Sequence, residues 1–414
     1  MSYDGEKTDR RRFLQGVAGV AGTAAIAGCS GGEGGDEGSG SVRVPGLYDI
    51  SGATSDVGRP TALGSRDAIT WLNENGDLPR EIEHNWNDYA YEVPQAQQFY
   101  DEYTSDETPP AMVGWGTADT EALASTVAAD EVVYVSASYA ANLLTDEAPY
   151  NFFGNLDYTS QARAHLKWIS ENDPDGKIAF IFSNNPFGKA PVEGGKQYAN
   201  ELDLEVGADI DLPLTANSAT SQLEKASQND VDYLIHQNTA APMQVLMRDQ
   251  KDVYPEVTIC GLTYTVDEFR AAESPEVFEG ARYVNAFRTF QGALDAGGRG
   301  ATIIEDSFER EGRSMDDPQV ANLNYVRGVI HTLLVQRGIQ NAVDADEDPT
   351  VGANVRQGMF GIADDDMGDL AQPFNYMEGD RRPTMTGRLF EVSDGSLSFD
   401  TTIELPRRED WIGL

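Results

Sequence analysis

The residue types that carry catalysis are present in this chain, but they do not form a known catalytic pattern. Its four histidines stand far apart, at His84, His165, His236 and His331. None belongs to an HExxH or HxxxH pair, so the sequence gives little support to a metal site. The G-x-S-x-G turn of acyl transfer, the phosphate-binding loop and the dinucleotide-binding glycine pattern are also missing. The sequence therefore favours binding without catalysis, and no cofactor is expected.

Short polar or aromatic loops follow the predicted strands. They cover residues 49–52, 115–119, 136–139, 183–187, 237–239 and 262–264. The carboxyl ends of parallel strands bring helix N-termini and free backbone N–H groups together, which suits a carboxylate or another polar head. Aromatic side chains in these loops can cover an apolar body. Ordinary turn and capping chemistry accounts for any single loop equally well.

The elements that must position these loops alternate regularly from Val42 onward. In the first region the pattern predicts strands over 42–48, 81–86, 111–114 and 132–135, and helices over 61–74, 94–103 and 120–129. In the second it predicts strands over 178–182, 205–210, 233–236 and 257–260, and helices over 159–171, 188–202, 220–228 and 242–250. This alternation is typical of β-α-β units with a parallel sheet, and it predicts two similar α/β lobes.

The last part of the chain completes these lobes. A strand over 283–287 precedes predicted helices over 302–311 and 318–337. Segments 387–390 and 396–399 are expected to form a closing hairpin around Ser393-Asp394-Gly395. Cys260 lies in the apolar run VTICGL, so we expect a small buried core side chain there and not a reactive thiol.

The N-terminal stretch RRRFLQGVAGVAGTAAIAGCSGG begins at Arg10. Its apolar part, 17–27, is too short to cross a bilayer, which needs about 20 apolar residues. Arginines ahead of a short apolar core and small residues indicate an export signal over 1–29. Residues 10–14 resemble a twin-arginine signal and 26–29 a lipobox, so Cys29 is predicted to carry the lipid. The alternative is a frayed N-terminal helix with a chance cysteine. Residues 30–41 are expected to form a flexible glycine-rich, acidic tether.

The composition limits the partners of the folded part. With 69 acidic and 30 basic residues the net charge is −39, which argues against nucleic acid or an anionic membrane surface. Because 40% of the residues are hydrophobic, the chain is still able to bury a core. The basic residues are 23 Arg and only 7 Lys, a balance typical of proteins from salt-loving archaea, where salt screens self-repulsion. Of its 2 cysteines, Cys260 has no intramolecular partner once Cys29 is lipidated.

Several stretches, in their order and spacing, carry a resemblance to a known family. They are VRVPGLYDISGATSDVG, AMVGWGTADTEALA, VVYVSASYAANLLT and KIAFIFSNNPFGKAPVEGGKQYANEL. They resemble the exported substrate-binding proteins of branched-chain amino acid ABC transporters. The resemblance implies the type I periplasmic binding protein fold: two Rossmann-like lobes with parallel sheets, joined by a three-crossing hinge. It assigns 42–157 and 288–340 to the first lobe, and 158–287 and 341–414 to the second. The lobes are expected to close on a small polar ligand.

The resemblance also implies ligand-binding positions in the first lobe. Its clamp for the ligand carboxylate falls on Thr117, Ala118, Asp119, Ser138, Tyr139 and Ala140. Ala118 and Ala140 offer only backbone N–H groups where amino-acid binders carry hydroxyls. Asp119 would repel a carboxylate if it faced the pocket. Ser51 and Trp115, from the loops after two predicted strands, are the remaining predicted ligand-binding residues of the first lobe.

In the second lobe the implied positions fall on Phe187, on Asn238 with Thr239, and on Tyr264 or Thr263. The family's acidic partner for an ammonium group is not obvious, unless Asp267 or Glu268 replaces it. Trp115, Tyr139, Phe187 and Tyr264 together predict a cleft lined by aromatic side chains.

The sequence thus predicts an extracytoplasmic solute-binding component of an ABC importer, anchored to the outer face of the cytoplasmic membrane through Cys29. Its expected ligand is an amino acid or a related amide or carboxylate. The expected partners are ABC permease and ATPase subunits, with no nucleic acid and no membrane contact beyond the lipid. A ligand-sensing receptor or regulator of the same fold, and an exported hydrolase, are the alternatives.

Overall fold

The computed structural model describes residues 40–76 and 80–414. The export signal, Cys29 and most of the predicted tether lie outside these described residues. Within them, two separate sheets carry the fold, each covered by helices. None of the helices in this part of the chain is long and apolar enough to cross a membrane.

The first sheet is entirely parallel. It consists of β2 (Gly46–Tyr48), β4 (Trp86–Asp88), β5 (Ala111–Gly114), β6 (Val133–Ser136) and β7 (Asn151–Phe152), in the spatial order β4-β2-β5-β6-β7. A short parallel pair, β1 (Val42–Arg43) and β3 (Ile82–Glu83), precedes it. The strands predicted over 42–48 and 81–86 are therefore each divided in two. Pro45 has no N–H to donate to a ladder, which accounts for the break between β1 and β2.

The second sheet is parallel with an antiparallel edge. Its strands are β8 (Ile178–Phe182), β9 (Ile210–Asp211), β10 (Tyr233–Gln237), β11 (Thr258–Gly261), β12 (Arg282–Asn285), β13 (Thr386–Ser393) and β14 (Ser396–Glu404), in the order β14-β13-β12-β11-β10-β8-β9. The β13–β14 hairpin is confirmed, and Asp394 and Gly395 take the positive φ angles, 51° and 76°, that a tight turn needs. The strand predicted over 205–210 is wrong for most of its length, because Val206 makes only an isolated bridge to Ile178.

Helices follow most of the strands. Those up to the end of β12 are α1 (Ser55–Asn75), α2 (Val93–Thr104), α3 (Thr117–Ala129), α4 (Tyr158–Asn172), α5 (Pro186–Lys189), α6 (Val192–Glu201), α7 (Thr220–Gln228), α8 (Ala240–Val253), α9 (Glu268–Glu273) and α10 (Pro275–Phe278). The later ones are α11 (Phe290–Ala296), α12 (Arg299–Glu311), α13 (Leu323–Asp344) and α14 (Gly352–Met359). Short 3₁₀ turns cover Ala141–Leu144 and Glu409–Trp411.

Most predicted helices differ in their bounds; α1, for example, begins at Ser55 and not at residue 61. Two of the differences are explained by single residues. The helix expected over 188–202 is broken into α5 and α6 at Pro191, which has no N–H for the helix ladder. The helix expected over 318–337 begins only at Leu323, where the Asn322 side chain accepts the N–H of Asn324 and caps the first turn. It then continues to Asp344.

The chain passes between the two sheets three times, after β7, after β12 and before β13. Helix α13 lies on the first side, against α1 and against β5 and β6. Helix α14 also packs against α13 and β6, although it falls in the 341–414 segment that the sequence analysis gives to the second lobe. The contact is close because Gly358 has no Cβ, which would stand 2.1 Å from the Gly338 carbonyl oxygen. The lobe boundaries remain predictions.

The core is apolar on both sides of the central strands. Strands β5, β6 and β8 are buried along their whole length, as expected of parallel strands covered by helices on both faces. Cys260 in β11 is fully buried, and burial raises the pKa of its thiol to about 12. The prediction of a small core side chain at Cys260 is therefore confirmed.

The α1–α13 contact yields a prediction on stability. A Cβ at Gly328 would stand 2.0 Å from the Thr61 carbonyl oxygen, so Gly328→Ala must push the two helices apart. We expect a loss of about 1–3 kcal/mol in the free energy of unfolding, measured by urea titration. Gly40→Ala is the control, because its Cβ would meet only Arg80 at 3.8 Å. Equal stabilities of the two variants would contradict close packing at this contact.

Candidate ligand-binding site

A cavity of about 240 Å³, part of which is open to solvent, lies at the carboxyl ends of strands from both sheets. It is lined by Thr54, Val57, Tyr91, Trp115, Gly116, Thr117, Ala137, Tyr158, Phe187, Thr239 and Tyr264. None of these described residues carries a charged side chain. The predicted site residues Trp115, Thr117, Phe187 and Tyr264 belong to this lining. The cavity therefore combines an aromatic surface with a few hydroxyl and backbone groups.

Tyr264, from the second sheet, closes the cavity against residues of the first. Its ring lies edge-on to Trp115, with 5.7 Å between the ring centroids. Its hydroxyl donates a hydrogen bond to the Ala137 carbonyl oxygen at 2.5 Å, which joins the loop after β11 to the loop after β6. Phe187 lies edge-on to both Tyr264 and Tyr158, at 5.9 and 5.6 Å. These contacts enclose the cavity between the two sides.

Tyr139 and Arg327 form a second layer behind Tyr264. Tyr139 is fully buried and stacks on the Tyr264 ring at 5.9 Å and 8°, so it supports the cavity without lining it. Arg327, on α13, lies 4.1 Å from the centroid of the Tyr264 ring. It also donates a hydrogen bond to the Thr263 carbonyl oxygen at 2.9 Å. A cation over the face of a tyrosine is attracted to the ring, which holds Tyr264 in place.

Trp115 is oriented by a chain of hydrogen bonds. Its indole Nε1 donates to Thr54 Oγ1 at 2.8 Å, and the Thr54 hydroxyl donates to Asp49 Oδ2 at 2.6 Å. Asp49 also accepts the backbone N–H groups of Gly52 and Thr54. All three side chains are buried, so the direction of the indole ring is fixed before any ligand enters.

The N-terminus of α3 faces the cavity through Gly116 and Thr117. The first N–H groups of a helix have no partner within the helix, and together with the helix dipole they attract anions. Thr117 Oγ1 accepts a hydrogen bond from the Ser138 hydroxyl at 2.9 Å, so Ser138 positions Thr117 from outside the lining. Ala118 follows in the same turn without lining the cavity.

Asp119 is the third residue of α3 and belongs to this first turn, where it is buried to 1% exposure. Its Oδ1 accepts the Tyr89 hydroxyl at 2.8 Å, whereas its Oδ2 is buried without a hydrogen-bond partner. Burial is the main cause that raises the pKa of Asp119 to about 7, against the lowering effect of Tyr89 and of nearby backbone N–H groups. Asp119 was predicted in the clamp, but it does not line the cavity.

This raised pKa predicts how stability depends on pH. Between pH 4 and 7 the folded state holds a proton on Asp119 that the unfolded chain releases, so stability falls as pH rises through this window. We expect Asp119 to account for about 2–4 kcal/mol of this fall, and Asp119→Asn to remove that part from unfolding curves at pH 5 and 8. Asp348→Asn is the control, because the pKa of that exposed carboxyl is lowered and it titrates below this window. An unchanged slope in Asp119→Asn would contradict the assignment.

Ser51 and Asn238 lie outside the cavity lining and have structural partners. Ser51 is exposed and donates to Asp88 Oδ2 at 2.6 Å, and Asp88 also accepts the N–H of the neighbouring Ile50. The Asn238 side chain donates to the Leu212 carbonyl oxygen at 2.8 Å. The neighbouring Thr239, at the N-cap of α8, lines the cavity instead.

Asp267 and Glu268 are also engaged away from the lining. Asp267 caps α9 by accepting the Arg270 N–H at 2.8 Å. Glu268 accepts the N–H groups of Phe290 and Leu323, each at 2.7 Å, and thus caps two helices. Burial raises the pKa of Asp267 to about 6 and that of Glu268 to about 7. Neither carboxyl is placed to meet a ligand ammonium in this arrangement.

Several lining residues were not predicted from the sequence, notably Tyr91 and Tyr158. Tyr91 and the preceding Ala90 both take positive φ angles, 61° and 52°, without a glycine to signal the turn. Tyr158 opens α4 immediately after its N-cap Asp157, whose side chain accepts the Ser160 N–H. The Asp157 cap marks the start of α4 in the sequence and so could have indicated Tyr158 as a lining residue. Nothing in the local sequence indicates Tyr91. In the described ranges no group of three or more histidine, cysteine or acidic side chains is placed to hold a metal ion.

Comparisons with known proteins agree with this fold. Residues 41–396 match the family described as "Periplasmic binding protein". A comparison with curated proteins gives no match. Among solved structures, a substrate-binding protein of an ABC transporter from Aeropyrum pernix is 27% identical with a TM-score of 0.81, over 90% of this chain and 98% of its own.

Two further structures are more distant in sequence and show the fold alone. A branched-chain amino acid ABC transporter protein from Thermus thermophilus, with bound valine, is 21% identical with a TM-score of 0.82, over 89% of this chain and 97% of its own. A solute-binding protein of an ABC transporter from R. palustris, in complex with benzoate, is 16% identical with a TM-score of 0.74, over 91% and 99%.

Proposed function

We propose that this chain, which belongs to the periplasmic binding protein family, is the solute-binding component of an ABC importer. The members of this family bind solutes and are not enzymes. The chain binds a small polar solute between two lobes and delivers it, chemically unchanged, to a membrane permease. An ATPase subunit then supplies the energy for transport. A ligand-sensing receptor of the same fold is the alternative role.

The observation that carries the proposal is the contact of Tyr264 with the opposite side of the cavity. Its hydroxyl bonds to the Ala137 carbonyl oxygen, and a second bond joins the sides where the Ala241 N–H donates to Asp56 Oδ2 at 3.1 Å. These two bonds join the sides directly at the cavity, and this supports hinge closure around a solute and reopening for its release.

The proposed ligand is an amino acid or a related amide or carboxylate. The N–H groups at the start of α3, which have no partner within the helix, suit a carboxylate or amide oxygen, and the aromatic lining suits an apolar body. Valine in the Thermus thermophilus structure and benzoate in the R. palustris structure both have this combination of parts.

The proposed location is the outer face of the cytoplasmic membrane, with Cys29 as the lipid-bearing N-terminus and 30–41 as the tether. The arginine-containing export signal and the lipobox-like residues 26–29 support this location. Mass spectrometry of the mature N-terminus tests it: we expect a lipid-modified Cys29. An unmodified chain that begins at Met1 would contradict the anchor.

Titration calorimetry against amino acids, amides and aromatic carboxylates tests the site. With the ligand found, Thr117→Ala combined with Phe187→Ala should weaken binding by about 100-fold, since a hydrogen-bonding group and an aromatic contact are lost together. The matched control is Thr70→Ala combined with Phe399→Ala, two exposed positions away from the cavity. Undiminished affinity in the first pair would remove these residues from the site.

A further inference from the structure

We infer that the cavity binds a monocarboxylic acid together with one proton, and that Asp119 holds this proton. This inference rests on the proposed function and specifies its ligand class. Asp119 is a specificity-determining residue that acts through its charge, because it does not line the cavity.

The position of a ligand carboxylate follows from α3. This helix has 13 residues, and its first turn reaches the cavity through Gly116 and Thr117. A helix N-terminus attracts an anion and repels a cation. No carboxylate side chain among the described lining residues is available to bind an ammonium group. The acid group of a ligand therefore belongs at this end of the cavity, with its apolar part against Trp115 and Tyr264.

Asp119 is the third residue of this helix and lies close to Gly116. A Cβ on Gly116 would stand 2.3 Å from Asp119 Oδ1, which shows how closely the carboxyl lies under a lining residue. Oδ2 is buried and has no hydrogen-bond partner. No ion pair reaches Asp119 in the described part of the chain, and its side-chain partner is the neutral hydroxyl of Tyr89.

The surroundings of Asp119 contain further acidic and phenolic groups. They are Tyr89 and Tyr91 from the loop after β4, Tyr134 from β6 and Asp49 from the loop after β2. Asp49 accepts two N–H groups and one hydroxyl. A ligand carboxylate would add a third anion to Asp49 and Asp119. Since like charges at close range cannot all be ionised, the proton goes to the carboxyl with the fewest donors.

The proton passes from solvent to Oδ2 of Asp119 when the acid binds. Without ligand, burial raises the pKa of Asp119 to about 7, and a neighbouring ligand anion raises the pKa further. The proton is therefore taken up near neutral pH, and affinity for a carboxylate falls as pH rises above 7. An uncharged amide of the same shape needs no proton. A ligand ammonium beside Asp119 would have the opposite effect and release a proton.

Calorimetry in phosphate and Tris buffers counts these protons, with benzoate, benzamide and L-valine as probes. For benzoate at pH 7 we expect uptake of about 0.5 proton per site, and a dissociation constant that rises up to about tenfold per pH unit above 7. Benzamide should bind with no uptake. In Asp119→Asn, benzoate should bind without uptake and without pH dependence. The control Asp130→Asn makes the same change at the acceptor of the similar Tyr100–Asp130 bond, at the other end of α3, and should leave the uptake unchanged.

The proton count of the unmodified chain decides the question even where a variant fails to fold. Benzoate binding without proton uptake between pH 6 and 8, uptake that persists in Asp119→Asn, or proton release on L-valine binding would each overturn the inference. Binding of benzamide or L-valine without any binding of benzoate at pH 6 would overturn it and leave the proposed function standing. If no member of the wider panel binds, the proposed function itself is contradicted.

Discussion

Tyr264→Ala is expected to weaken ligand binding by about 100-fold or more while the protein stays folded. The ring borders the cavity, contacts Trp115 and Phe187, and covers the ligand from the second sheet. The variant also loses the bond from the hydroxyl to the Ala137 carbonyl oxygen. Both losses act on the closed state, so we expect a faster dissociation rate more than a slower association rate.

Tyr264→Phe separates the two contributions. It keeps the ring and its stacking on Tyr139 but removes the hydroxyl, so we expect a loss of about tenfold, equal to one hydrogen bond. Thermal unfolding of the same samples controls for stability, because Arg327 packs on the ring from behind. A folded Tyr264→Ala variant with the affinity of the unmodified chain would contradict the role of Tyr264 in closure.

Trp115→Ala is the second change with a large expected effect, again a loss of about 100-fold or more in affinity. The indole is only 4% exposed and lines the first-sheet side of the cavity. Its position depends on the bond to Thr54, so Thr54→Val should give a smaller loss of about tenfold without removing the ring. Calorimetry with the identified ligand measures both.

Trp168→Ala is the matched control for Trp115. Trp168 packs under Arg282 at 3.8 Å and is absent from the cavity lining. We expect Trp168→Ala to lower the free energy of unfolding and to leave the affinity unchanged. If both tryptophan variants lose affinity equally, the loss reflects general stability and not the cavity.

Much of the fold could be predicted because the apolar runs alternate with amphipathic segments at the length of β-α-β units. Buried parallel strands such as β5 and β8 show as continuous apolar runs, and Asp394-Gly395 marks the closing hairpin. The predicted bounds of strands and helices are wrong where a residue without a backbone N–H donor interrupts the element. Pro45 and Pro191 interrupt a strand and a helix that the apolar pattern alone would continue.

The cavity could be predicted only in part. Trp115, Thr117, Phe187 and Tyr264 follow strands directly, so their position after the strand ends brings them to the lining. Tyr91 reaches the cavity because Ala90 and Tyr91 both take positive φ angles, and no glycine in the sequence indicates such a turn. The bond of Asp119 to Tyr89 and the support of Trp115 by Thr54 join segments that are 30 and 61 residues apart. Such pairings depend on the folded arrangement and leave no local pattern.

We propose that this chain binds one small solute in the cavity and releases it unchanged. Native mass spectrometry of the protein after incubation with the panel of amino acids, amides and carboxylates tests it most directly. We predict one ligand per chain, lost in Tyr264→Ala, and recovered after denaturation with the mass at which it was added. A recovered ligand of altered mass would indicate an enzyme, and retention by Tyr264→Ala equal to the unmodified chain would indicate a different site.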